Sequence, residues 1–173
     1  MNAWFLIMFI GFGFQNGWKK ITIPELGVSL MSPGYMVRVI DEFSTDAGEV
    51  TVYSYKYEPK ENDPNMLYLV QAYIMAEPPD CKDDLSLCRD LLHVAFENSV
   101  EKLNAQVDYS EYSRIIGGEA LMYRIRYANG QRMMKSKAMI AGNLFISMQV
   151  YCDFSQSLNT SMDYFLNSFS QIN

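Results

Sequence analysis

The sequence predicts an α+β fold: an antiparallel β-sheet of about six strands, with a C-terminal four-strand meander, flanked by two main α-helices. Three observations carry this. Apolar and polar residues alternate with period two over residues 50–57 and again from residue 107 onward. A helical stripe of Leu85, Cys88, Leu92, Ala95, Phe96, Val100 and Leu103 separates the two regions, and another of Leu158, Met162, Phe165, Leu166, Phe169 and Ile172 follows the second. Turn residues at Gly117-Gly118, Asn129-Gly130 and Ala141-Gly142-Asn143 cut the second β region into its strands.

The chain begins with an unbroken run of apolar residues and glycines from Trp4 to Phe14, ended by Gln15, Asn16 and Gly17 before Trp18, Lys19 and Lys20. Such a run is a secretory h-region, and it falls short of the roughly 20 apolar residues a membrane-spanning helix needs. No Lys or Arg precedes it and no A-x-A site follows. The competing interpretation, a core strand, would alternate or be β-branched, and this run does neither. Residues 1–17 are therefore expected to be a signal-peptide-like segment and residues 18–173 one domain, exported to the periplasm or the extracellular space, with no integral membrane span after signal removal.

Two short strands are expected over residues 20–23 and 28–31, around the turn Pro24-Glu25-Leu26-Gly27, with Ser32-Pro33-Gly34 closing the second. Residues 35–40 are apolar enough to continue as strand. Residues 50–57 place Val50, Val52 and Ser54 on one side and Tyr53, Tyr55 and Tyr57 on the other. The stretch 58–65, with two prolines and three acids, is a loop, and residues 66–75 form the next strand. After Pro78-Pro79-Asp80 comes the first helix, over Leu85–Leu103.

The later turns define registers. With Asn129 and Gly130 central in a two-residue turn, Tyr127 lies opposite Arg132, Arg126 opposite Met133, Ile125 opposite Met134, Arg124 opposite Lys135 and Met122 opposite Lys137. That places Leu121, Tyr123, Ile125, Met134, Ser136 and Ala138 on one face and Arg124, Arg126, Lys135 and Lys137 on the other. A three-residue turn at 141–143 would align Leu144, Ile146, Met148 and Val150 with the first face, and put Phe145 and Tyr151 beside Met133 and Met139 on the cation face. A two-residue Gly117-Gly118 turn would set Glu111 across from Arg124.

The segment Ile21-Thr22-Ile23-Pro24-Glu25-Leu26-Gly27-Val28-Ser29-Leu30-Met31-Ser32-Pro33-Gly34-Tyr35 resembles the start of PsbP-like domains. The order that follows is similar to theirs: strands, a long helix, a four-strand meander and a final helix ending in Tyr164-Phe165-Leu166-Asn167-Ser168-Phe169. The resemblance covers nearly all of the chain after residue 17. It implies a central antiparallel sheet flanked by helices, the fold of photosystem II extrinsic subunits, of a Ran-binding import factor and of many exported bacterial proteins. It carries over no catalytic residues, because the family shares none.

Composition excludes several function classes. A formal charge of −6, from 14 Lys and Arg against 20 Asp and Glu, argues against a nucleic-acid grip, which needs a basic face. The sole imidazole, His93, has no G-x-S-x-G partner, and there is no phosphate-cradling loop. Acid pairs such as Asp83-Asp84 and Asp41-Glu42 point in different directions and are ordinarily solvated. Three unclustered cysteines and one histidine do not make a zinc set, so neither metal nor cofactor is expected. Cys81 and Cys88 are candidates for a disulfide, which would close a loop of about eight residues and add roughly 2.5 kcal/mol. A Cys88–Cys152 pairing and an all-reduced core are the alternatives. The tyrosine row, with Tyr68 and Tyr73, is a candidate stacking surface or simply sheet packing. The sequon at Asn159 falls on the last helix.

Four cations on one face of an acidic protein call for an answering anion. It is supplied internally, by loop acids or a covering helix, or by a protein or anionic ligand held at Arg124, Arg126, Lys135 and Lys137. The function expected is an exported, non-catalytic binding or accessory module of the cell envelope. The alternative is an exported hydrolase whose active site converges from separate strands.

Overall fold

The computed structural model describes residues 17–45, 48–60 and 63–172. The signal-like segment therefore lies outside the described residues, except for Gly17. In chain order the elements are β1 (Lys19–Ile23), a 3-10 turn (Pro24–Leu26), β2 (Val28–Ser32), β3 (Val37–Thr45), β4 (Gly48–Tyr57), β5 (Asn65–Ile74), α1 (Leu85–Leu103), β6 (Gln106–Ile115), β7 (Gly118–Tyr127), β8 (Arg132–Ala141), β9 (Leu144–Asp153), a second 3-10 turn (Phe154–Gln156), α2 (Thr160–Leu166) and β10 (Ser170–Gln171). The α+β class, with two helices on an antiparallel sheet, is the observed one.

Seven strands form the main sheet in the order β3-β4-β5-β9-β8-β7-β6, and β1, β2 and β10 form a small second sheet. Two cores lie on opposite sides of the main sheet. On one side α1 packs on β6, β7 and β8, burying Cys88, Leu92 and Phe96 against Leu121, Tyr123, Ile125, Met134 and Ile140. On the other side the small sheet and α2 bury Ile23, Val28, Leu30, Phe165 and Leu166 against Tyr55, Tyr68, Val70, Ile146 and Met148. Helix α1 has the predicted bounds because its ends are capped: the Asp84 carboxylate accepts from the Leu87 N–H at 3.0 Å, and Asn104 turns left-handed at φ 46°.

The β7–β8 ribbon has the predicted register, with Tyr127 opposite Arg132, Arg124 opposite Lys135 and Ile125 opposite Met134. Its turn is longer than a two-residue one: Ala128, Asn129 and Gly130 are all left-handed, at φ 51°, 55° and 81°, so the reversal begins one residue early.

The β8–β9 turn is shorter than expected. Ala141 pairs with Leu144, so the turn comprises only Gly142 and Asn143, with Gly142 at φ 62°. That single-residue difference turns every β9 side chain over. Phe145 joins the α1 core, while Leu144, Ile146, Met148, Val150 and Cys152 join the α2 core. The local pattern could not decide this, because residues 144–150 are buried without exception and their alternation is weak.

The β6–β7 turn also lies one residue early, at Ile116 and Gly117, since Ile115 pairs with Gly118. That earlier turn sets Glu111 opposite Met122 and Tyr109 opposite Arg124, and a β-bulge at Asp108 then shifts the register again, so Val107 faces Ile125 and Gln106 faces Arg126. The last helix stops at Leu166. Beyond it Ser170 and Gln171 pair with Ser29 and Val28, leaving Leu158 and Ile172 exposed rather than on a continuous helical stripe.

Candidate binding faces of the sheet

The four cations lie on one face as their alternation requires, and α2 reaches across that face. The bulge projects Asp108 toward the two arginines: its Oδ2 accepts from Arg124 Nε at 2.9 Å and its Oδ1 from Arg126 Nε. The Asp108 side chain is 10% exposed, those of Arg124 and Arg126 26% and 36%. Each guanidinium also lies over a ring, Arg124 over Tyr109 at 5.4 Å and Arg126 over Phe154 at 5.4 Å. Lys135 donates to Asp163 of α2, and Lys137 to the Asn167 side-chain oxygen at 3.4 Å.

Burial pulls the Lys135 ammonium down, but the Asp163 hydrogen bond, then Tyr109 and the Asp163 charge, prevail and hold it above the ordinary lysine value. At Lys137 burial acts without a carboxylate and lowers it. Among the described residues the four cations thus meet two carboxylates, Asp108 and Asp163, which leaves this cluster with two excess positive charges. Beside it, Arg124, Lys135, Asp163 and the segment 157–160 line a cleft of about 190 Å³. The predicted internal partner, Glu111, is not used. The early turn sets Glu111 against Met122, and Asp108 was missed because only a bulge turns it to the arginines, and the sequence carries no local mark of that bulge.

The opposite face is covered over only part of its width. Helix α1 lies over β6–β8, and among the described residues neither helix packs substantially on β3 or β4. The cross-strand row Ala138, Ser147, Gln71, Ser54 and Val39 runs outward from under the helix to the sheet edge. A parallel row runs Ser136, Gln149, Leu69, Lys56 and Val37. Their inner ends are tied together: Tyr151 Oη donates to Gln149 Oε1 at 2.6 Å, and Gln149 Nε2 donates to Ser147 Oγ at 3.0 Å. The Tyr151 hydroxyl is held above its ordinary value, first by burial and then by Tyr123 and Tyr127.

A cleft of about 290 Å³ follows the helix margin, lined by Gln71, Gln149 and Tyr151 on the floor and by Asn98, Ser99 and Lys102 on α1. That volume is at the lower limit for small-molecule sites. The same flank of α1 carries Leu87, Leu91 and Val94, four to eleven residues before Asn98 at helical spacing and all exposed. Helix and floor together make an open, amphipathic corner.

The other sequence candidates have structural roles. Tyr55 is buried and donates to Glu25 Oε1 at 2.7 Å, and Tyr57 and Tyr68 pack in the core beneath the small sheet. Tyr73, on the opposite face, stacks on Phe145. His93 sits 3.2 Å from Glu97 on the exposed side of α1. The Asn159 side chain caps α2, accepting from the Met162 N–H at 3.0 Å, and donates to Asn65 and Gln156. Cys81 and Cys88 are joined in a disulfide with Cα atoms 5.7 Å apart, and Cys152 is free and buried. Burial, with Asp153 nearby, pushes the Cys152 thiol up to about 11. Among the described residues no group of three His, Cys, Asp or Glu side chains is arranged to hold a metal, and no helix is long and apolar enough to cross a membrane.

A seven-stranded antiparallel sheet with α1 on one face and a shorter helix plus a small sheet on the other is a PsbP-like fold. The solution structure of cyanobacterial PsbP (CyanoP) from Synechocystis sp. PCC 6803 is similar to this chain with a TM-score of 0.60, covering 93% of this chain and 95% of its own at 12% sequence identity. At that identity the likeness shows the fold. No family model matches the sequence, and no curated protein matches it.

Proposed function

We propose that this protein is an exported accessory module, without catalysis of its own, that holds a protein partner on the uncovered half of its sheet. The observation that carries this is the corner between α1 and strands β9, β5, β4 and β3. Its floor spans about 15 Å at the usual strand spacing, room for one further helix, whose diameter is about 10–12 Å. Apolar residues frame a strip of serine and glutamine, the mixture of apolar anchors and hydrogen-bonding groups that suits a protein interface. The Cys81–Cys88 disulfide supports an oxidising compartment and hence export. The PsbP-like fold supports an accessory role by analogy.

A second interpretation rests on the two excess charges of the cation cluster: an anionic ligand or a carboxylate-bearing partner held by Arg124, Arg126, Lys135 and Lys137. The two are separable by capture from envelope extract on immobilised protein. Leu91→Lys combined with Val94→Lys should abolish capture, while Lys137→Glu leaves it intact. The reverse result moves the site to the cation face, and capture indifferent to both sets removes both. Mass spectrometry of the exported protein should give a mature N-terminus close to Trp18 and one free thiol.

A further inference from the structure

The two edges of the main sheet are unequal. On β6 the Asp108 bulge breaks the ladder and turns a charge inward, and most of the strand is polar, as protected edges are. On β3 there is neither bulge, proline nor lysine: its sequence is VRVIDEFST, and among the described residues it bonds only to β4. Each residue from 37 to 43 is exposed, and Val37, Val39, Ile40 and Phe43 are 60%, 40%, 47% and 52% accessible. A long, apolar strand with one unpaired row of backbone donors and acceptors is a template for another strand.

The order of charges along β3 selects that strand. We propose that the protein forms a two-fold dimer in which β3 pairs antiparallel with β3 of a second copy, centred on Ile40. An isologous contact must be self-complementary. Antiparallel partners also point to the same side of a sheet, so only registers pairing odd with odd and even with even residues are allowed.

Centring on Ile40 places Arg38 opposite Glu42 of the second copy and Glu42 opposite its Arg38, with Val37 against Phe43 at both ends and Ile40 against itself. Centring on Asp41 opposes two aspartates and sets Ile40 against Glu42. Centring on Glu42 opposes two glutamates. Centring on Val39 leaves Arg38 against Ile40 and pairs no charges. Of these, the Ile40-centred register alone pairs opposite charges, and it sets apolar residues together at its centre and both ends, leaving Val39 against Asp41 as its one mismatch.

Glu42 is exposed and makes no ion pair among the described residues. Arg38 holds Glu25 at 2.9 Å yet stays 46% exposed, and a guanidinium has donors for both carboxylates. A two-fold axis normal to the sheet puts both α1 helices on the same side. The two uncovered half-sheets would then join into one trough walled by a helix on each bank. The dimer rests on the edge strand and stands or falls independently of what the trough receives.

The test is sedimentation equilibrium of the chain over a concentration series, with Arg38→Glu and Glu42→Arg examined separately and as an equimolar mixture. In each variant alone, both cross-dimer pairs become like-charged, and dimerisation should weaken at least about tenfold. In the mixture each chain supplies what the other lacks, so a heterodimer of near wild-type affinity should return. Glu42→Arg disturbs no ion pair described within the monomer, so its effect is not attributable to lost folding. In a further arm, Ile40→Cys should cross-link to itself on oxidation, whereas Val39→Cys, which faces Asp41 of the second copy, should not. A wild-type chain that stays monomeric throughout, a dimer indifferent to both substitutions, or a mixture no tighter than its components would overturn the proposal.

Discussion

Asp108→Asn removes one charge from the position on which two arginines depend, with little change of shape. Two charge-assisted hydrogen bonds converge on the native carboxylate, each contributing about 1.5–3 kcal/mol in a buried setting. The arginines are 26% and 36% exposed, so solvent screening takes the lower part of that range, and an asparagine oxygen preserves one weaker bond. The expected loss is about 2–3 kcal/mol, or a fall in Tm of about 5–10 °C for a chain of this size.

Thermal unfolding followed by circular dichroism would measure it. Sulfate should recover part of the loss in the variant beyond its effect on the wild type, because it supplies the missing anion. With Arg124 and Arg126 both replaced by methionine, the same Asp108→Asn change should be nearly neutral. A loss below about 0.5 kcal/mol in the wild-type background would mean that the arginines are satisfied by water and that the bulge does not organise this face.

Other consequences can be checked in the same way. A Cβ at Gly118 would lie 1.7 Å from the Ile140 carbonyl oxygen, so Gly118→Ala must push β7 and β8 apart and should cost about 3 kcal/mol or more; a loss under about 1 kcal/mol in denaturant titration would contradict that contact. Ala128 is left-handed at φ 51°, so Ala128→Gly should stabilise by about 1 kcal/mol, read as a higher denaturation midpoint with unchanged slope. The Tyr55 hydroxyl, more than Arg38, holds the Glu25 carboxyl below its ordinary value. Its contribution is therefore complete above the ordinary glutamate range and is lost as pH falls through the lower folded value. Tyr55→Phe should flatten that acid limb of the stability curve, and an unchanged limb would assign it to other carboxylates.

Much of this was legible because it is local. Helix α1 announces itself by a stripe that α-helical geometry alone explains, and the β7–β8 register follows from alternation on both sides of one reversal. The cation face followed from the same alternation. What answers the cations did not, because Asp108 and Glu111 look alike until an early turn sets Glu111 against Met122 and a bulge turns Asp108 to the arginines. The uncovered corner was equally hidden: Gln71, Ser147 and Gln149 belong to strands far apart in sequence, and only strand order brings them into adjoining rows.

Side-chain periodicity, then, is a property of the backbone and can be read along the chain, and it determined the helices, the strands and the sorting of grease from charge in the β7–β8 ribbon. Tertiary structure alone decided how β6 and β9 register with their neighbours, where β9 points when both its faces are buried, and how much of the sheet a single helix can roof. A helix about 10–12 Å across covers two or three strands spaced about 4.8 Å apart, and a sheet of seven leaves the rest of that face for something else.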